Sequence, residues 1–265
     1  MRGIFVLILL ASTALIPGRA QPRSPQVSHD TWDKLVKEYV REDHRVDYAR
    51  WKSNGTATLD GYIASLAKPF PTGITKAERN AALTNAYNAL TVRWILDHFP
   101  TKSIWKTKQP FTGKRHTVDG KTVSLDDIET GLRETMGERT HAVLVCAARS
   151  CPPLRREAFV ANRLDAQLDD NTREWLANDK LNQFFPEKNR ADVSSIFKWY
   201  KGDFEKNGAT LEGFLARYAP SGRGAFLTSG KKPDIDFKGY DWGLNDTGDA
   251  GKGYRGFYFD YLRNK

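Results

Sequence analysis

The chain has 265 residues and a formal net charge of +9, with 41 Lys and Arg residues against 32 Asp and Glu residues. Hydrophobic residues make up 40% of it, and 7 Trp, 10 Tyr and 14 Phe residues supply enough apolar surface for a large core, which excludes a disordered chain. The basic residues are dispersed and the sequence has no nucleic-acid recognition motif. We therefore expect a solvated basic surface and no nucleic-acid partner.

Residues 1–20 have the organisation of a signal peptide. Arg2 gives a positive start, residues 4–16 are almost entirely apolar, and small residues precede a cleavage point after Ala20. The apolar run is shorter than the roughly 20 residues that a membrane-spanning helix needs, and no second long apolar run follows. We therefore predict a periplasmic or secreted protein without a stable membrane anchor, in which residues 21–265 form a single domain. A retained N-terminal anchor is the alternative.

The clearest predicted element is a helix over 75–98. Thr75 and Glu78 have the spacing of a capping box, in which each residue satisfies a free backbone N–H of the other at the helix start. The segment that follows is apolar on nearly every side, and such a helix is buried all round. We predict it to be the central helix of the fold.

Shorter elements are predicted around this helix. Asp119-Gly120 between two β-prone pairs predicts a hairpin over 116–123, and the continuous apolar run 141–145 predicts an interior strand. Amphipathic patterns and helical turns predict further helices over 30–41, 59–66, 124–135, 162–176, 193–204 and 211–218. The expected fold is α+β, with a small sheet, formed by the hairpin and the 141–145 strand, packed on the central buried helix and surrounded by the other helices.

Two asparagines inside the central helix need an explanation. Asn85 and Asn88 are three residues apart and share one face of the helix. A buried amide without a partner costs about 1–3 kcal/mol, so each must have one. In the structural interpretation these amides tie the helix to a neighbouring segment. In the functional interpretation they line a cleft and stabilise a substrate oxygen.

The segment 141–151 contains both cysteines, Cys146 and Cys151, and His141, one of only five histidines. Three interpretations compete for the sulfurs: a small-loop disulfide, a thiolate nucleophile with a histidine base, or plain buried thiols. On one straight strand His141 and Cys146 would stand roughly 16 Å apart on opposite faces and could not form a dyad. Cys151 beyond the turn, or His116 on the hairpin, could approach instead.

Metal binding and cofactor use are not expected. A structural zinc site needs four Cys or His ligands at short spacings, whereas this segment offers three. Arg149 and Arg155 flank it, and their charge disfavours a cation. Asp127 is explained by its position at a helix start three residues after Ser124, while Glu129 could act as an acid.

These motifs resemble, in the same order along the chain, those of the domain of unknown function 547 family. The matching segments are NAYNAL (85–90), SLDDIE (124–129), HAVLVCAARSCPPL (141–154) and IFKWYKGDF (196–204), which places a family-like core at about 75–204. The family occurs in bacterial exported proteins and in plants, and it has no settled activity. The resemblance implies that Asn85, Asn88, Glu129, His141, Cys146 and Cys151 are the residues to test. Thr130 stands where many relatives would have a histidine, which weakens thiol catalysis.

Two functions from different classes follow. The first is a non-catalytic binding module of the cell envelope, in which a disulfide shapes the site. Its partner would be an anionic envelope component or a peptide, with Arg149, Arg155, His116 and Tyr87 as binding residues. The alternative is a cysteine-dependent hydrolase or acyltransferase acting on an amide or thioester. In it a cysteine attacks, a histidine takes the proton and an asparagine stabilises the oxyanion.

Overall fold

The computed structural model describes residues 27–264, so the predicted signal peptide (1–20) lies outside the described residues. The α-helices are α1 (Asp30–Tyr39), α2 (Tyr48–Asn54), α3 (Thr56–Ala67), α4 (Lys76–His98), α5 (Leu125–Met136), α6 (Leu164–Ala177), α7 (Ile196–Trp199), α8 (Lys201–Phe204), α9 (Leu211–Tyr218) and α10 (Phe257–Asn264). The strands are β1 (His116–Val118), β2 (Lys121–Val123), β3 (Gln183–Phe185), β4 (Arg190–Ser194) and β5 (Asp234–Lys238). Helices combined with two small sheets make the fold α+β, as predicted. Among the helices of the described range, none is both long and apolar enough to cross a membrane.

The helix α4 is buried along most of its length. Its first turn has the predicted capping box: Thr75 Oγ1 accepts from the Glu78 backbone N–H, and the Glu78 carboxylate accepts from the Thr75 backbone N–H. The helix packs against α3 on one side and α5 on the other. Full burial of a large apolar side chain such as Ile95 contributes about 1.5–3 kcal/mol, so this packing is a main source of the stability of the fold.

The two sheets are separate. The hairpin β1–β2 forms as predicted, with Thr117 opposite Thr122 and with Asp119 and Gly120 at positive φ in its turn. The second sheet has the order β3-β4-β5, antiparallel between β3 and β4 and parallel between β4 and β5. Sequence analysis did not predict this sheet, and it placed helical turns over the part of β4 that begins at Val193.

The prediction of an interior strand over 141–145 is wrong. Residues Gly137–Ala142 form a 3-10 helix, and residues 143–145, which follow it, are neither helix nor strand. The apolar run is buried, as a strand would be, but side chains of neighbouring helices satisfy its backbone. Asn88 Nδ2 donates to the Val143 carbonyl at 2.9 Å, and the Val145 N–H donates to Asn88 Oδ1 at 3.0 Å. The run therefore needs no sheet partner, and the predicted packing of a hairpin–strand sheet on α4 does not occur.

The loop that follows is joined to a distant segment of the chain. The Arg149 N–H donates to the Gly243 carbonyl at 2.8 Å, and the Asn245 N–H donates to the Ala147 carbonyl at 3.0 Å. From the other side Asn171 of α6 donates to the Ala142 carbonyl at 2.6 Å. These bonds fix residues 142–151 between α4, α6 and residues 241–245.

Replacement of Asn88 by Ala leaves the Val143 carbonyl and the Val145 N–H buried without their partner. We expect the free energy of unfolding to fall by about 3 kcal/mol, since an unsatisfied buried polar group costs about 1–3 kcal/mol. Urea denaturation followed by tryptophan fluorescence measures this. The matched control is Asn162→Ala at an exposed position, which we expect to change stability by less than about 0.5 kcal/mol. Equal effects of the two substitutions would show that Asn88 does not hold the loop.

Candidate functional site

A cavity of about 490 Å³ opens between α5, the loop 142–152, α7, residues 240–242 and α10. This volume lies within the roughly 300–1,000 Å³ of typical small-molecule sites. Five of the residues that the sequence predicts to belong to a functional site line this cavity: Tyr87, Glu129, His141, Cys146 and Cys151. The structure thus brings together residues from α4, α5, the 3-10 helix and the cysteine loop.

Aromatic residues are the most numerous group in the cavity lining. Those in the lining are Tyr87, Trp105, Phe111, Trp199, Tyr200, Tyr240, Trp242, Phe257 and Tyr261. Trp199 lies 4.9 Å from the Tyr240 ring and 5.8 Å from the Trp242 ring, between centroids, and it is 48% exposed. Trp242 stacks in turn on Phe257 of α10 at 4.9 Å. Side chains that hold one another in this way give a wall that is largely formed before a ligand arrives.

His141 is a buried residue of the cavity lining. Its Nε2 lies 2.7 Å from Asp203 Oδ2, which also accepts from Arg133 Nε at 2.6 Å, and its ring stacks on Tyr200 at 4.0 Å. Burial lowers the pKa of His141 to about 4, in spite of the opposing effect of Asp203. The imidazole is therefore neutral at pH 7, with Nε2–H donating to the Asp203 carboxylate and a lone pair on Nδ1.

Glu129 reaches the cavity from α5. The Tyr87 hydroxyl donates to its Oε2 at 3.5 Å, and burial raises the pKa of Glu129 above its ordinary value. A hydrogen bond from Tyr200 and the charge of Arg133 act in the opposite direction. Asp126, three residues earlier on the same helix face, also lines the cavity, and partial burial raises its pKa. The site has two carboxyl groups close to the aromatic wall.

Cys146 and Cys151 form a disulfide, with their Cα atoms 6.2 Å apart. Of the three interpretations left open by the sequence, the disulfide is the one confirmed. Ala147 between them has a φ of 57°, which turns the chain back sharply enough for the sulfurs to meet. The Tyr240 hydroxyl donates to Cys146 Sγ at 3.2 Å, and the Cys146 N–H donates to Cys151 Sγ at 2.8 Å. In this state neither sulfur is a thiolate.

The two asparagines of α4 fit the structural interpretation. Both are fully buried, and neither is in the cavity lining. Asn85 makes two hydrogen bonds with the backbone of Phe159, just as Asn88 does with the backbone of residues 143–145. Its Nδ2 donates to the Phe159 carbonyl at 2.8 Å, and its Oδ1 accepts from the Phe159 N–H at 2.9 Å. Their hydrogen bonds with the backbone explain both residues without an oxyanion.

The other predicted binding residues lie away from the cavity. Arg155 pairs with Glu157 at 2.6 Å and with Asp170 at 2.6 Å, so its charge is already balanced. Arg149 lines a separate cavity of about 190 Å³, which shares Cys151 and Pro152 with the aromatic cavity. His116 is half-buried on β1, and burial lowers its pKa to about 4. The geometry brings none of these three residues to the aromatic cavity.

Sequence reasoning missed much of the wall and the partner of His141. Trp199, Tyr200 and Asp203 all fall within IFKWYKGDF, a segment that was noted for its resemblance and not for chemistry. An exposed Trp next to a Tyr, close to an acid and in a short helical segment, was the available clue. Among the described residues, no group of three or more His, Cys, Asp or Glu could hold a metal ion.

The structure is that of an α+β protein with an aromatic-lined cavity beside a disulfide. Residues 71–176 match the family described as "Protein of unknown function, DUF547", which confirms the resemblance predicted from the sequence motifs. The matched segment includes α4, Glu129, His141 and both cysteines, while Trp199, Asp203 and Trp242 lie beyond it. No curated protein and no solved structure was found to match the chain.

The neutral state of His141 predicts a pH dependence of stability. Burial lowers its pKa from 6.5 to about 4 in the folded protein, so between these values the unfolded chain binds a proton that the native state does not. The contribution of neutral His141 to the free energy of unfolding is therefore complete above pH 6.5, and it is lost as the pH falls towards 4. Between pH 7 and pH 5 the wild-type protein should lose about 2 kcal/mol more than His141→Gln, measured by urea denaturation at each pH. Equal losses in the two proteins would show that His141 titrates normally.

Proposed function

We propose that this protein is an exported, non-catalytic binding module of the cell envelope whose ligand site is the aromatic cavity. The observation that carries the proposal is the wall itself. The rings of Trp199, Tyr240 and Trp242 pack against one another in stacked and tilted pairs beside a volume suited to a small molecule. Exposed aromatic surface of this kind is costly in water, and a ligand that covers it gains the corresponding free energy.

The disulfide acts as a structural part of the site. It closes the loop beneath Tyr240, and this loop is fixed on three sides by hydrogen bonds to α4, α6 and residues 241–245. A bonded pair of sulfurs is also what an oxidising compartment favours. The apolar run at residues 4–16 and this bond together support export.

One observation favours the second candidate, a cysteine-dependent hydrolase. The cavity contains a histidine oriented by an aspartate, together with Cys146, which is the usual set of a thiol nucleophile, base and orienting acid. This chemistry requires reduction of the bond to Cys151 before a thiolate exists. The redox state of the sulfurs therefore separates the two candidates.

The binding proposal predicts a loss of affinity when Trp199 is removed. A panel of small aromatic and aliphatic fragments, followed by ligand-observed NMR, should contain binders whose dissociation constants rise at least about fivefold in Trp199→Ala, since an aromatic pair contributes about 0.5–1.5 kcal/mol beyond its area. Phe259→Ala is the matched control, because Phe259 is 77% exposed on α10 and does not line the cavity. Fragments that bind both variants alike would place the ligand site elsewhere.

Intact mass spectrometry tests export and the disulfide together. Protein recovered from the periplasm or medium should begin after Ala20 and weigh two hydrogens less than its reduced form. An alkylating reagent should modify neither sulfur before reduction, and both Cys146 and Cys151 afterwards. One thiol that reacts rapidly in the untreated protein would contradict the module and favour the hydrolase.

A further inference from the structure

The aromatic cavity contains no Lys or Arg among the side chains described in its lining, although Lys and Arg account for 41 of the 265 residues of this basic chain. The acidic side chains in the lining are Asp126 and Glu129, and the histidine is His141. Burial keeps the pKa of His141 at about 4, so this ring adds no positive charge at pH 7. The cavity of this basic protein is thus lined by acidic side chains and by no basic one among the described residues.

The nearest guanidinium does not change this balance. Arg133 donates to Asp203 Oδ2 at 2.6 Å, and its guanidinium carbon lies 5.0 Å from the centre of the Tyr200 ring. Asp203 balances its charge, and Arg133 itself is not in the lining. With that pair neutral overall, the acidic groups that face a ligand are Asp126 and Glu129.

The aromatic faces add attraction of the same sign. The π-face of Trp, Tyr or Phe carries the negative part of the ring quadrupole and attracts a cation that lies within about 6 Å of its centre. Tyr200 already accepts a cation on one face, that of Arg133, which shows the sign of the interaction in this protein. Trp199, Tyr240 and Trp242 add further rings to the lining of the cavity.

From these observations we infer that the ligand of the cavity is a small organic cation of the alkylated ammonium class, bound by the aromatic wall and by Glu129 and Asp126. The inference rests on the proposed binding function and specifies its ligand. A quaternary ammonium has an apolar surface that suits the rings and no N–H that requires an acceptor. A compact, strongly hydrated cation would lose its hydration shell, and the aromatic rings of the wall do not replace the lost water molecules.

Three probes of nearly the same shape test the charge directly. They are choline, the neutral 3,3-dimethylbutan-1-ol, in which carbon replaces the nitrogen, and the anionic 3,3-dimethylbutanoate. We expect choline to bind about tenfold more tightly than the alcohol, and the anion to bind more weakly than both, by isothermal titration calorimetry or NMR at pH 7.5. Glycerophosphocholine as a fourth probe separates a free cation from a lipid headgroup: binding tighter than that of choline assigns the headgroup as the source, and weaker binding assigns the free cation.

Variants locate the effect. Glu129→Gln should reduce the preference for choline over the alcohol to about threefold or less, and Asp126→Asn should reduce it in the same direction. The matched control is Glu134→Gln, an exposed position on the same helix that does not line the cavity and should leave the preference unchanged. A thermal melt of each variant checks folding, and Asp126→Asn, at a more exposed position than Glu129, serves if Glu129→Gln does not fold.

The outcomes separate this inference from the proposed function. Binding of the alcohol as tightly as choline, with loss of both in Trp199→Ala, would overturn the cation assignment and leave the binding module intact. Absence of measurable choline binding would also overturn the assignment, while the fragment panel decides independently whether the cavity binds ligands. A preference for choline that Glu129→Gln and Glu134→Gln change equally would place the cation elsewhere.

Discussion

Two hydrogen bonds between the Asn88 side chain and the backbone of residues 143–145 determine the geometry of the site. They allow an apolar segment to lie in the core without a strand partner, and they set the position from which Cys146 and its loop begin. Asn171 holds the same segment from α6. Because the segment is fixed from two helices, the disulfide and the ring of Tyr240 above it have a defined place.

The electrostatics of the site follow from burial more than from the charge of the chain. His141 is neutral because it is packed between Tyr200 and the core, and its one ionised partner, Asp203, is shared with Arg133. Glu129 is partly shielded by tyrosine hydroxyl groups, and burial raises its pKa. A protein that is basic overall therefore contains a cavity whose described lining has acidic and aromatic side chains and lacks Lys and Arg.

The sequence predicted the features that depend on local pattern. The capping box of Thr75 and the all-round apolar character of α4 identify the central helix, and Asp119-Gly120 identifies the hairpin. The strand over 141–145 was predicted wrongly because a continuous apolar run indicates burial and does not say what satisfies its backbone. The amide of Asn88, 55 residues away from Val143, does so, and no local pattern records such a pairing. The β3-β4-β5 sheet was missed because its strands have only three to five residues and one pairing joins β4 to the distant β5.

The sequence predicts only those residues of the candidate site that lie in local motifs. His141, Cys146, Cys151 and Glu129 lie in segments with distinctive motifs, whereas Trp242 joins them only through tertiary packing. Tyr87 reaches the cavity because it lies on a different face of α4 from the two asparagines, a distinction that helical position alone does not turn into a function. Pairing of the sulfurs depends on the turn at Ala147, which the sequence does not predict because a positive φ is unusual for alanine.

The most direct test of the account is the response of the seven indole N–H groups in a ¹H–¹⁵N spectrum during titration with choline. The account predicts that the resonances of Trp105, Trp199 and Trp242, which line the cavity, shift with a single dissociation constant. Those of the fully buried Trp32, Trp51 and Trp175 should stay in place. Shifts spread evenly over all the tryptophans, or the absence of any shift at saturating choline, would contradict binding of an organic cation in the aromatic cavity.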